Sequence, residues 1–155
     1  CQQPIAELAG LRGRSHRVGP MLVNGDALIL SPADMGRGAG EIEAEFEPPP
    51  HGECGIRLRW PHHAAVDIGY SAATNELFVD QHGRPRLGIP LPHADGRVAM
   101  RIFVDRGIVE VFGDRGQATI TALLDVETAP AGMDVFAEDG TARLARLNLW
   151  EMNPA

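Results

Sequence analysis

The run RVAMRIFVDRGIVEVFGDRGQ, Arg97 to Gln117, decides the fold. Two apolar segments, Val98 to Val104 and Ile108 to Phe112, flank Asp105-Arg106-Gly107, and Gly113-Asp114-Arg115-Gly116 follows as a second turn. Turn residues between two strand-forming runs predict a β-hairpin with a further reversal attached. Asp105 closes the first arm and Glu110 interrupts the second between Val109 and Val111, so one face of this sheet is expected to be half wet.

The same grammar continues on both sides. GPMLVN, DALILS and EIEAEFE read as strands, the last with strict alternation at Ile42, Ala44 and Phe46. Pro48-Pro49-Pro50-His51-Gly52 cannot sit inside a sheet and marks a loop, after which CGIRLRW resumes the alternation. Ala65 to Tyr70 and Glu76 to Asp80 are further strands, and GRPRLGIPLPHADG is a looser segment with three prolines. Beyond the hairpin come Ala118 to Leu124, Met133 to Ala137, a turn at Glu138-Asp139-Gly140, and a last strand from Ala142 to Trp150. About ten or eleven short strands with turn signals near every tenth residue, and no helical spacer for parallel crossovers, predict an all-β, two-layer antiparallel β-sandwich. At the N-terminus, Ile5, Leu8 and Leu11 share one helical face between Pro4 and Gly13, which predicts a short linker helix. Residues 1–16 are accordingly read as a linker with a helix and 17–155 as the sandwich domain.

Composition agrees with one domain. The 155 residues are 44% apolar and 23% charged, and 18 Gly with 12 Pro punctuate the short runs. A formal net charge of −7 without a Lys/Arg cluster argues against nucleic acid as a partner. No apolar run approaches the roughly 20 residues needed to span a bilayer, so no membrane partner is expected. Cys1 and Cys54 are too few and too far apart for a disulfide framework or a zinc site. An N-terminal Cys is compatible with lipidation, but the helical pattern that follows it is unlike a flexible tether. No cofactor is indicated, and the compartment stays open.

Several segments together resemble one family. QQPIAELAGLRG is similar to the linker that follows the catalytic propeller of glycoside hydrolase family 32. MRIFVDRGIVEVFGDRGQATIT is similar to the strand-Asp-turn-Val-Glu-Val-Phe unit of that family's C-terminal module. ELFVDQHG resembles an earlier strand ending in Asp, and GMDVFAEDGTARLARLNLWEM its closing strands, so the likeness runs from about Gln3 to Met152. One departure is that Asp80 is followed by Gln81, where the family usually has Arg. The resemblance implies a lectin-like or concanavalin A-like jelly roll that accompanies a five-bladed catalytic propeller in levanases, invertases and other β-fructosidases.

The family's catalytic carboxylates lie in Asn-Asp-Pro-Asn and Arg-Asp-Pro motifs, and neither occurs here. Glu53-Cys54 does match the acid/base dipeptide, but it follows the Pro-rich loop and opens a sandwich strand. A retaining glycosidase needs two carboxyl groups about 5 to 5.5 Å apart, and a lone Glu supplies no pair. The isolated chain is therefore expected to hydrolyse nothing, and no catalytic or metal-ligating residue is assigned.

The remaining polar residues have two readings each. Glu110 is either a cross-strand partner of Arg101 or Arg57 or a ligand for a sugar hydroxyl or partner domain. Asp80 and Asp105 either cap turns or touch a ligand. Asp67, in AAVDIGY, shares a polar face with Arg57. Trp60, Tyr70 and Trp150 either fill the core or stack on a sugar. His51, His62 and His63 are expected in exposed loops. The carbohydrate-binding candidates are thus Arg57, Asp67, Tyr70, Asp80, Asp105 and Glu110. Two functions follow: an accessory module that stabilises or docks on a fructan- or sucrose-cleaving propeller, or a fructan-binding module with fructan or fructose as ligand.

Overall fold

The computed structural model describes residues 4, 6–30, 40–92 and 95–153. Cys1 and Ile5 lie outside the described residues. A 3-10 helix at Ala6–Leu11 leads into β1 (Arg12–Val18), β2 (Met21–Leu30), β3 (Gly40–Glu47), β4 (Glu53–Trp60), β5 (His63–Ser71) and β6 (Glu76–Asp80). There follow β7 (Leu87–Pro90), β8 (Val98–Asp105), β9 (Ile108–Gly113), β10 (Ala118–Leu123) and β11 (Gly132–Met152). The helix is a single tight 3-10 element because six residues including Gly10 are too few to sustain an α-helix. Strand β1 begins inside the segment read as a linker.

The strands run in the order β10-β9-β8-β3-β11-β4-β5-β6-β7, with β1 and β2 also paired to β11. Every pairing is antiparallel, as a chain of short turns requires. The sheet folds at β11 into two layers. Residues Gly132 to Glu138 of β11 pair with β4, whereas Arg143 to Glu151 pair with β3. The far ends of the folded sheet then meet, with β10 lying against β6 and β7. The Gln81 side chain ties them by donating to the Leu123 carbonyl at 3.1 Å.

The expected turn at Glu138-Asp139-Gly140 is instead a bend within one 21-residue strand. Asp139 and Gly140 adopt φ of 56° and 141°, which redirects the chain without reversing it. The bend is held from outside by the Pro-rich loop: a Cβ on Gly140 would lie 2.7 Å from Pro49 Cβ, and one on Gly52 would lie 2.1 Å from the Glu138 carbonyl oxygen. Two strands were not read from sequence. RGRSHRV (β1) lacks apolar alternation, and LGIP (β7) ends in a proline tolerated at a sheet margin.

Alternation builds the core. Val98, Met100, Ile102 and Val104 of β8 point inward, while Ala99, Arg101, Phe103 and Asp105 alternate with them on the outer face. Ile56, Ile68, Leu77, Val111, Val135 and Leu147 join the buried cluster from the other strands, as do Trp60 and Tyr70. The Trp60 indole donates to the Thr128 carbonyl at 3.0 Å.

At the centre of the second layer, Gly55 and Gly69 are register partners on β4 and β5. A Cβ on Gly55 would lie 2.1 Å from the Ile68 carbonyl oxygen, so backbone would have to move. Gly55→Ala is expected to destabilise the domain by more than about 2 kcal/mol in urea unfolding. Gly10→Ala, with open space around it, should stay within about 0.5 kcal/mol of the parent.

Candidate functional site

The outer face of the second layer, formed by the first half of β11 with β4, β5 and β6, assembles three of the six candidates. Register places Asp134, Arg57, Asp67 and Asp80 in one row across these strands. Arg57 is the hub: Nε and Nη2 donate to the two oxygens of Asp67 at 2.6 and 2.9 Å, and Nη1 donates to Asp26 at 2.8 Å. Nη2 also reaches Glu138 at 3.2 Å. The hydrogen bonds with Asp67 push the Arg57 guanidinium up against the opposing effect of burial, so it remains a fixed cation. Asp67 is buried and also contacts His82 Nε2 at 3.0 Å.

The next row reads Phe136, Gly55, Gly69, Phe78. The two rings flank the glycine pair, and Phe78 lies so close that a Cβ on Gly69 would be 2.9 Å from its ring. Guanidinium groups cover both rings: Arg57 sits 4.8 Å from the Phe136 centroid and Arg86 4.0 Å from that of Phe78. Arg86 also binds Glu53 and Asp80, and Arg59 binds Asp134 and Asp26. Asp26, Glu53, Asp67, Asp80, Asp134 and Glu138 thus share three guanidinium groups, and the face carries excess negative charge. Its spare carboxylate lone pairs can accept from hydroxyls or basic side chains, whereas its rings are already covered.

The other candidates lie elsewhere. Tyr70 is fully buried, its hydroxyl 3.0 Å from Asn75 Oδ1, and its ring offers no face to a ligand. Burial, then the charge of Asp114, raises its phenol above the ordinary range. Asp105 and Glu110 are exposed on the opposite layer, where Glu110 is flanked in register by Phe103 and Thr121. Glu110 pairs with neither arginine expected for it, because Arg101 turns to Glu41 and Arg57 is on the other layer. Glu53 is bound by Arg86, and Cys54 is buried, its thiol pushed up to about 12 by burial and by the charge of Glu53.

Sequence reasoning missed the polar ladder on the first layer. Glu41, Glu43, Glu45 and Glu47 of β3 are bracketed by Arg12, Arg143 and Arg146 on one side and by Arg97 and Arg101 on the other. Glu41 has no exposed surface, and Arg12 and Arg101 each reach it at 2.7 Å. Burial pushes its carboxyl up, but the two guanidinium groups outweigh that and hold it below its ordinary value. The available signal was the match between the Glu phase of EIEAEFE and Arg at 97, 101, 143 and 146.

Among the described residues, no group of three or more His, Cys, Asp or Glu side chains is placed to hold a metal, and no helix is long and apolar enough to cross a membrane. Fold and faces define an antiparallel β-sandwich, its sheet nearly closed, with ion-paired outer surfaces. The family described as Glycosyl hydrolases family 32 C terminal matches residues 7–151, and the chain belongs to it. A levanase of Bacillus subtilis (strain 168) is 30% identical over 96% of the chain, and one of Bacillus sp. (strain L7) is 32% identical over 96%. The chain spans only 24% and 17% of these relatives. Among solved structures, exo-inulinase from Aspergillus awamori shares the fold with a TM-score of 0.78 at 21% identity, covering 97% of this chain and 32% of that one. Fructan 1-exohydrolase IIa from Cichorium intybus does so with 0.76 at 14% identity, over 99% of this chain and 38% of that one.

Glu41→Gln is expected to lower stability by about 2–4 kcal/mol at neutral pH, because it leaves two guanidinium groups around a buried neutral amide. The lowered carboxyl stabilises the fold above the ordinary value of 4.5 and loses that contribution as pH falls through the folded-state value. The gap between parent and variant in urea unfolding should therefore be full at neutral pH and close in acid below 4.5.

Proposed function

We propose that this chain is the accessory β-sandwich of a fructan- or sucrose-cleaving hydrolase, docked on a catalytic propeller and stabilising it, without hydrolytic activity of its own. The observation that carries this reading is one of proportion: two levanases match 96% of the chain, yet it accounts for 24% and 17% of their length. The chemistry of the faces supports it. Glu53 and Asp80 are both bound by Arg86, and Asp67 by Arg57, so these carboxylates are spent on holding the sheet rather than flanking a scissile bond.

The acid-rich face around Arg57, Asp67 and Asp80 is the docking surface in this reading. Asp26 and Glu138 are its exposed carboxylates, available to basic side chains of the propeller. In the parent enzyme, removal of this module is expected to lower the melting temperature of the remaining catalytic portion by several degrees. The isolated chain should release no reducing sugar from sucrose, inulin or levan. Hydrolysis by the isolated chain, or an unchanged melting temperature after its removal, would overturn the proposal.

A further inference from the structure

The outer faces carry five aromatic rings among the described residues, and four are covered by a guanidinium group: Trp150 by Arg12, Phe136 by Arg57, Phe78 by Arg86 and Phe103 by Arg101. Phe112 is the exception. It is half-buried and held edge-on to Phe103, with centroids 6.1 Å apart and an interplanar angle of 89°. This ring lines a surface concavity of about 280 Å³ on the first layer, together with Glu43, Arg101 and Arg146. A second concavity of about 630 Å³ adjoins it and shares Ala99, Arg115 and Arg146, so the two form one trough.

The wall of the trough is fixed before any ligand arrives. Asp114, Arg115 and Gly116 are three consecutive residues in the left-handed region, at φ of 44°, 61° and 84°. Two bonds pin this turn to β8: the Asp114 amide donates to the Ala99 carbonyl at 2.9 Å, and Asp114 Oδ1 accepts from the Ala99 amide at 2.8 Å. Strained backbone held in place by its surroundings is a feature of ligand-contacting sites. The donors are also pre-set. Arg101 donates through Nε to Glu41, and Arg146 through Nε to Glu45, which leaves the terminal amino groups of both without a hydrogen bond to another described residue.

From these observations we infer that the trough binds a neutral sugar. Vicinal hydroxyls match the lining, because a hydroxyl oxygen accepts from guanidinium while its proton goes to a carboxylate such as Glu43. The sugar's C–H face would lie on Phe112. An anion is disfavoured, since the acidic lining residues Glu43, Glu45, Asp95 and Asp114 equal in number the arginines at 97, 101, 115 and 146. This site is separate from the proposed docking face, which lies on the other layer, so either can fail without the other.

Calorimetric titration of the chain with 1-kestose, maltotriose and inorganic sulfate tests it. Saturable heat with at least one sugar is expected, weakened about tenfold or more in Phe112→Ala and in Arg146→Gln. Phe112→Trp should retain binding, which keeps the test valid if the alanine variant fails to fold. Leu28→Ser, on the other layer and 67% exposed, should bind as the parent does. Absence of heat with both sugars, sugar binding undiminished in Arg146→Gln and Phe112→Ala, or saturation by sulfate alone would overturn the inference.

Discussion

A single strand that serves both layers is the constraint on which this domain depends. β11 takes part in hydrogen bonding with β1, β2, β3 and β4, and its bend at Asp139-Gly140 is what turns an extended antiparallel sheet into a sandwich. The Pro48 to Gly52 loop wraps that bend at distances which admit no side chain at Gly52 or Gly140. β2 follows the same course alongside, with Gly25 at φ 76° opposite the point where the register of β11 shifts. Backbone geometry at a handful of glycines thus sets the angle between the layers, and the apolar core fills the space so defined.

Both outer faces are built on the same solution to a different problem. A chain with a net charge of −7 has to place many carboxylates on strands, where like charges repel across the ladder. The arginines resolve this by standing between them, so that one guanidinium serves two or three carboxylates and sits over a ring as well. Arg57 and Arg86 do so on one layer, Arg12 and Arg101 on the other. Polar groups buried in this way tie distant parts of the chain together: Arg12 and Arg101 converge on Glu41 from the first strand and the eighth.

Much of this architecture was legible in the sequence, because alternation reports directly on which side of a sheet a residue faces. The hairpin around Arg106-Gly107, the alternating EIEAEFE and the strands either side of the Pro-rich loop all read correctly for that reason. Arg57 and Asp67, read as sharing a polar face, are indeed register partners. Three things were hidden. β1 carries no apolar period because Val18 is its one large apolar residue, and Arg12 reaches the sheet through Glu41, Glu43 and the Trp150 ring. The bend in β11 has the same composition as a hairpin turn, and only the neighbouring loop distinguishes them. The pairing of Glu41 with Arg12 and Arg101 spans 29 and 60 positions, beyond anything local spacing can reveal. Burial of Tyr70 was one of its two readings, and the choice rested on register.

The strand at the start of the sheet has one more consequence. β1 is paired on one side only, to β11, among the described residues, and its sequence is RGRSHRV. An open margin is where a stray polypeptide would add itself, yet here it presents Arg14 and Arg17 to solvent, and a second identical margin would meet it with the same positive charges. At the opposite end the sheet closes on itself through β10, β6 and β7. Along β1, addition of a second copy's strand is therefore opposed by electrostatic repulsion, and at the opposite end of the sheet by closure.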